Sequence, residues 1–186
     1  MPTFRFCPRC GHELPAPTVP AARLVRQDCP ACGAVHYRNA KPTASALVVQ
    51  DGKVLLGRRC IEPFKGWWDV PGGFLEPWEH PAEGVVREIA EETGLAVRPT
   101  ELLGIFMDVY AYGEDDDYTL NVYYLVEIVG GEPRPGDDLM ELRFFTPDEL
   151  PDQVAFATGR QALAEWKRRQ EAGRQGPRDR RGPRRP

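Results

Sequence analysis

Between Pro71 and Leu95 the chain reads PGGFLEPWEHPAEGVVREIAEETGL, a glycine-rich turn running into a charged amphipathic segment. This segment has the marks of a helix. Pro81 suits a first turn, Ala82, Val85, Val86 and Ile89 recur at helical spacing, and Gly94 is the expected stop. With Ala82 at zero and about 100° per residue, the apolar stripe centres near zero, while Glu88, Glu91 and Glu92 fall at roughly 240°, 180° and 280°. Three carboxylates are therefore expected on the face turned away from the core. Like charges so close repel one another and call for a compensating cation. Hard oxygen donors of this kind select Mg²⁺ or Mn²⁺, ions that keep some waters and share their sphere with substrate phosphates. A Glu-x-x-Glu-Glu spacing alone is more often a solvated helix face. What shifts the reading to a site is Gly73, Glu79, Arg87 and Gly94 standing at set distances around it. Pro71-Gly72-Gly73 adds a loop tight enough for a backbone carbonyl to approach a metal.

The second constraint lies at the N-terminus. Cys7-Pro8-Arg9-Cys10-Gly11 is followed, after eighteen residues, by Cys29-Pro30-Ala31-Cys32-Gly33. Two Cys-x-x-Cys knuckles at this separation are a strong signal for four thiolates around one Zn²⁺. Four sulfurs leave no open position, so the ion is expected to be structural. With four cysteines present, neither His12 nor His36 is needed as a ligand. The fifth cysteine, Cys60, stands alone and reads as a buried free thiol. Paired cysteines used for metal point to a reducing, cytoplasmic compartment. The sequence also lacks a signal-peptide layout and any apolar run of roughly 18 residues that could span a bilayer.

With 186 residues, of which 41% are hydrophobic, the chain can bury one enzyme-sized core plus a small accessory module. Ala44 to Val49 and Lys53 to Leu56 flank Asp51-Gly52, the pattern of a tight β-hairpin. Trp67 to Val70, Leu102 to Tyr112 and Tyr118 to Val129 are further strand candidates. Between the last two, Glu114-Asp115-Asp116-Asp117 reads as a solvated turn. The net charge of −4 conceals a gradient: from Lys167 onward nine Lys/Arg face two acids, so this end carries +7 and the rest −11. Its Gly, Pro and Arg content from Gly173 to Pro186 argues for a disordered tail, whose charge would let it make a weak contact with nucleic acid.

The spacing Gly73, Glu79, then Arg87-Glu88-Ile89-Ala90-Glu91-Glu92-Thr93-Gly94-Leu95 resembles the Nudix box at every specified position, a match expected by accident about once in 10⁷ chains. The resemblance spans about residues 4 to 165. It implies an α+β fold, a Nudix α/β/α sandwich with a mixed β-sheet preceded by a small zinc ribbon. The expected boundaries are ribbon 1–40, Nudix domain 41–172 and tail 173–186. It further implies that Glu88, Glu91 and Glu92 hold Mg²⁺, that the Gly72 carbonyl adds a ligand, and that Arg87 pairs with Glu79 to orient the carboxylates. The reaction is then Mg²⁺-dependent hydrolysis of a pyrophosphate bond in a small nucleotide substrate. Related enzymes also place an acid outside the helix as base or extra ligand; Glu141 is the first candidate, with Asp137 and Asp138 as alternatives.

A zinc ribbon ahead of a Nudix domain is similar to the NADH pyrophosphatase group and to relatives acting on FAD and ADP-ribose. The NADH-type enzymes carry a Ser-Gln-Pro-Trp-Pro-Phe-Pro stretch after the box, and nothing like it occurs here. The leading expectation is therefore cleavage of ADP-ribose or FAD to give AMP, with an RNA-end hydrolase (cap or NAD-cap) or NADH pyrophosphatase as the alternative. Phe64, Trp67, Trp68, Trp78, Tyr110 and Tyr112 are the aromatic residues that could stack on a base, although each alone is more often packing. The resemblance also implies a homodimer.

Overall fold

A computed structural model describes residues 4–16, 26–37, 39–112 and 115–174. The chain divides into two compact units, one of residues 1–42 with 107–120 and one of residues 43–106 with 121–186.

In the first unit, β1 (Arg26–Asp28) and β2 (Val35–Tyr37) pair antiparallel, with Gln27 opposite His36. The Gln27 side chain binds the Phe4 backbone through both its oxygen and its nitrogen, at 3.0 and 3.1 Å. Each cysteine knuckle closes on its glycine. Gly11 N–H donates to the Cys7 carbonyl (2.8 Å) and Gly33 N–H to that of Cys29 (2.9 Å), with φ of 73° and 70°. Glycine reaches that left-handed region without a Cβ clash.

The second unit holds β4 (Lys53–Arg59), β5 (Trp68–Asp69), β6 (Gly72–Phe74) and β9 (Leu139–Phe145) and most of β3 (Lys41–Gln50), β7 (Leu95–Tyr112) and β8 (Asp115–Gly131), of which residues 41–42, 107–112 and 115–120 are counted with the first. Two helices accompany them, α1 (Pro81–Thr93) and α2 (Ala157–Arg174). The strands form one mixed sheet in the order β5-β4-β3-β8-β7, with β6 added on β3 and β9 on β4. The β3–β4 turn is the one expected at Asp51-Gly52, both with positive φ. Period-two alternation sorts the strand side chains to two faces. Leu47, Val54 and Leu56 join Ala162, Leu163 and Trp166 of α2, whereas Ala46, Val48 and Leu55 join Val85 and Ile89 of α1. This is the α/β/α layering expected from the sequence.

The strand β7 starts at Leu95, immediately after the helix stop and well before the expected Leu102. The left-handed Gly94 (φ 69°) turns the chain at once, so no connecting loop is needed. The turn at Glu114 lies outside the described residues, as do the side chains of 115–117 and of Tyr112. Helix α2 runs through Gly173 to Arg174, and the remainder of the expected tail is outside the described residues. Among the described residues no helix is long and apolar enough to cross a membrane.

Candidate active site and metal centres

The charged segment is a helix with well-made ends. His80 caps it, accepting the Ala82 N–H at Nδ1, while Glu83 reaches back to the His80 N–H, a reciprocal arrangement that satisfies two otherwise unpaired donors. At the other end the orphan carbonyls are taken up by a later segment of chain. Gly94 N–H donates to Ala90, Arg134 N–H to Thr93 (2.8 Å) and Gly136 N–H to Glu92 (2.9 Å). That stapling delivers Asp137 and Asp138 to the helix end. Cys60 N–H then fastens the Asp138 carbonyl at 2.7 Å.

The helix is rolled differently from the expected wheel. Glu88 and Glu92 are buried, at 8% and 7% exposure, and Val86 lies at 38%. Only Glu91, its side chain 53% exposed, points outward as expected for all three. The reason is the Pro71–Glu76 loop and its return, which cover the flank carrying Glu88 and Glu92. Gly84 sits under Leu75 and Glu79, so closely that a Cβ there would come within 2.4 Å of the leucine. Hydrophobicity along a wheel cannot register a cover supplied by another segment of chain.

Arg87 organises this flank. Its Nε and Nη2 bind the two Glu79 oxygens, each at 2.8 Å, a fork-on-fork pair. Nη1 reaches Glu88 at 2.7 Å and Glu91 at 3.2 Å, and Nη2 also donates to the Phe74 carbonyl. Glu92 is held separately, accepting the Gly72 N–H at 2.9 Å. Both loop glycines are closely approached. Gly72 has φ 148° and its Cβ would lie 2.4 Å from the Ala44 carbonyl oxygen, while a Cβ on Gly73 would lie 2.6 Å from the Glu88 carboxylate.

The electrostatics describe a cluster short of positive charge. Burial pushes the Glu92 carboxyl up to about 8, against the Gly72 N–H, and the charges of Asp69, Glu88 and Asp138 add to the rise. Glu88 is also raised, first by burial, with Arg87 opposing and Glu91 and Asp137 contributing. Asp138 rises by burial and by Asp137, with Arg59 opposing. In contrast, Arg87 holds Glu79 down at about 2. Carboxylates crowded, partly buried and raised in this way fit a divalent cation, which would supply the missing charge.

Of the acids proposed outside the helix, Asp137 and Asp138 act electrostatically on Glu88 and Glu92. Glu141 lies on β9 opposite Arg58 of β4 and pairs with that residue at 3.5 Å. One neighbour of the site is not evident in sequence patterns, the buried pair of Arg59 and Asp69 at 3.1 Å. Burial pushes the Asp69 carboxyl up to about 6 even with Arg59 beside it. A lone acid in the apolar run Trp67-Trp68-Asp69-Val70 is the signal that could have exposed it.

In the ribbon, the sulfurs of Cys7, Cys10, Cys29 and Cys32 all lie within 4.8 Å of one another. Cys29 is lowered to about 6, chiefly by the backbone N–H groups of Cys32 and Ala31, while Cys10, against the lowering effect of the His12 N–H, is pushed up to about 12 by Cys32, desolvation, Cys29 and Cys7 together. Four sulfurs gathered this closely, with backbone N–H donors turned toward Cys10 and Cys29, fit a metal ion. His36 is closer than expected for a bystander, its Nε2 3.3 Å from the Cys7 sulfur. Cys60 is half-buried, its thiol directed at the Asp137 carbonyl at 3.7 Å.

A mixed sheet between two helices, with a glycine loop feeding an acidic helix, is the architecture of the Nudix hydrolases. The chain belongs to that family: the NUDIX domain matches residues 40–169, and the Nudix N-terminal zinc ribbon matches residues 5–38. It is 38% identical over 122 residues to an ADP-ribose pyrophosphatase of Methanocaldococcus jannaschii, covering 64% of this chain and 69% of that protein. It is 30% identical over 165 residues to the NAD-capped RNA hydrolase NudC of Stutzerimonas stutzeri, covering 87% of this chain and 54% of the relative. The chain thus spans about half the length of that relative. Among solved structures, a NUDIX hydrolase from Nitrosomonas europaea superposes with a TM-score of 0.76 at 28% identity, covering 91% of this chain and 94% of the other.

Proposed function

We propose that this chain hydrolyses the pyrophosphate bond of a nucleoside-diphosphate-linked substrate, with ADP-ribose first and FAD next, releasing AMP. The observation that carries the reading is Glu88 and Glu92 set against the Gly73 and Gly72 backbone, with Arg87 bonded to both Glu88 and the more exposed Glu91. Glu88, Glu91, Glu92 and the Gly72 carbonyl would hold Mg²⁺ or Mn²⁺. An ion held there would supply the charge that offsets the diphosphate and acidifies an attacking water. Arg87 and Glu79 position Glu88 and Glu91, the Gly72 N–H positions Glu92, and Asp138 serves as the acid outside the helix in preference to Glu141. The four-cysteine site would hold a structural Zn²⁺, in keeping with a reducing, cytoplasmic setting.

The similarity to an ADP-ribose pyrophosphatase supports the leading substrate. A second reading, an RNA-end hydrolase, is favoured by the longer alignment with NAD-capped RNA hydrolases. A product-resolved panel of ADP-ribose, FAD, NADH and NAD-capped RNA with Mg²⁺ tests both. AMP from ADP-ribose or FAD, lost by on the order of a hundredfold in Glu91→Gln and Glu92→Gln, is the expected result. Full activity in those variants removes the metal-helix assignment. Turnover confined to capped RNA, weakened steeply by salt and by truncation after Gly173, establishes the second reading.

A further inference from the structure

Residues 60–67 leave β4 and return into β5, and both ends of this loop are anchored beside the acids. At its start the Cys60 N–H holds the Asp138 carbonyl at 2.7 Å. At its end Trp68 leads through Asp69 and Val70 into the Gly72 loop. Arg59 ties the loop from inside. Its Nε donates to the Pro63 carbonyl (2.8 Å), its Nη1 to Asp69 (3.1 Å), and its guanidinium lies 5.1 Å from the centroid of the Phe156 ring. The loop is therefore a positioned wall of the acidic site.

Phe64 occupies an unusual place on that wall. Its φ of 65° falls in the left-handed region, where glycine is preferred and a bulky side chain is strained. Its ring stands 5.4 Å from Trp67, tilted, and 5.3 Å from Phe156, edge-on. The packing does not seal it, since 38% of Phe64 remains exposed and the adjacent Ile61 is 41% exposed. A residue serving only to pin the loop would gain most from complete burial. Here the backbone favours no side chain, and the side chain present is an aromatic ring left 38% exposed.

We propose that Phe64, flanked by Trp67 and Phe156, is the subsite on which the planar nucleobase of the substrate stacks while its diphosphate meets the carboxylate cluster. The inference rests on the nucleotide reading above and adds the group that is recognised. Continuity supports this occupant: Arg59 connects the Phe156 ring to Asp69, which leads through Val70 and Pro71 to Gly72, whose N–H binds Glu92. Trp78 is the alternative ring, but it stands in solvent at 102% exposure, so a stacked base would have to order it first.

The test compares AMP with ribose 5-phosphate, which share the phosphate and ribose but differ in the base. Their dissociation constants, measured by calorimetry with Mg²⁺ present, are compared in the wild type, Phe64→Gly and Phe64→Tyr. Glycine removes the ring and suits the backbone at φ 65°, so the variant is expected to fold, which a melting curve checks. AMP should bind about tenfold more weakly to Phe64→Gly, ribose 5-phosphate should stay within about twofold, and Phe64→Tyr should restore AMP. In parallel, KM for ADP-ribose should rise about tenfold with kcat nearly unchanged. The subsite is overturned if AMP affinity is unaffected, if both ligands weaken equally, or if the loss appears in Trp78→Ala instead. Wild-type protein that cleaves ADP-ribose under any of those outcomes keeps its proposed function and loses only the subsite. Wild-type protein that neither cleaves a nucleoside diphosphate nor binds AMP overturns both.

Discussion

Arg87 grips Glu79 through two parallel hydrogen bonds of 2.8 Å, across eight residues of chain, and with the rest of the same guanidinium reaches Glu88 and Glu91. One planar group thus fixes the loop before the helix to two of its carboxylates. Lysine carries the charge but not the fork. Arg87→Lys should fold normally and lose about 10- to 100-fold in kcat/KM, with the Mg²⁺ concentration for half-activation shifted upward. Metal-titrated kinetics check this; unchanged metal dependence would show that Arg87 acts on stability alone.

The same pair sets an acid-stability signature. Arg87 holds the Glu79 carboxyl at about 2, below its ordinary 4.5. A carboxylate depressed in this way stabilises the fold above the ordinary value, and the contribution disappears as pH falls through the folded one. Glu79→Gln should therefore be less stable than the wild type at pH 7, by about 1 to 2 kcal/mol, and the gap should narrow from about pH 4.5 downward and close only near pH 2. Urea melts at pH 7 and at acid pH measure it, and a constant gap would contradict the pairing.

Two glycines separate activity from stability. A Cβ on Gly73 would meet the Glu88 carboxylate at 2.6 Å, the mobile end of a side chain, whereas one on Gly136 would meet the Glu91 carbonyl oxygen at 2.4 Å, which is fixed in the helix. Gly73→Ala should cost under about 1 kcal/mol of stability but about tenfold or more in activity. Gly136→Ala should cost about 1 to 3 kcal/mol and lower the melting temperature. Equal stability losses in the two variants would refute the distinction.

The two metal sites should separate chemically. Purified wild-type protein should contain about one equivalent of zinc by elemental analysis, retained in Glu91→Gln and lost in Cys29→Ser. Activity should respond to added Mg²⁺ while the zinc content stays constant. Zinc that survives loss of Cys29 would remove the four-sulfur assignment.

Much of this protein is written locally. The spacing of Val85 and Ile89, Pro81 at the helix start and Gly94 at its end specify α1, because these signals act within a turn or two of backbone. The Cys-x-x-Cys-x knuckles likewise specify their own turns, and Asp51-Gly52 its hairpin. The resemblance to the Nudix box named Glu88, Glu91 and Glu92 as the acidic cluster. What the resemblance could not carry was its orientation. The wheel turned Glu88 and Glu92 outward, but the fold buries them at 8% and 7% exposure, because a loop ten or more residues upstream lies across that flank.

The partners from farther along the chain were settled only by tertiary structure. Asp137 and Asp138 outrank Glu141 as neighbours of the helix because the backbone at Arg134 and Gly136 satisfies the last carbonyls of α1. Arg59 finds Asp69 because β4 and β5 pair side by side. Local sequence determines which elements form, through propensity and capping, which depend on near neighbours. Which charges meet depends on how distant backbone donors and acceptors are satisfied when the sheet closes between its helices, a property of the whole fold.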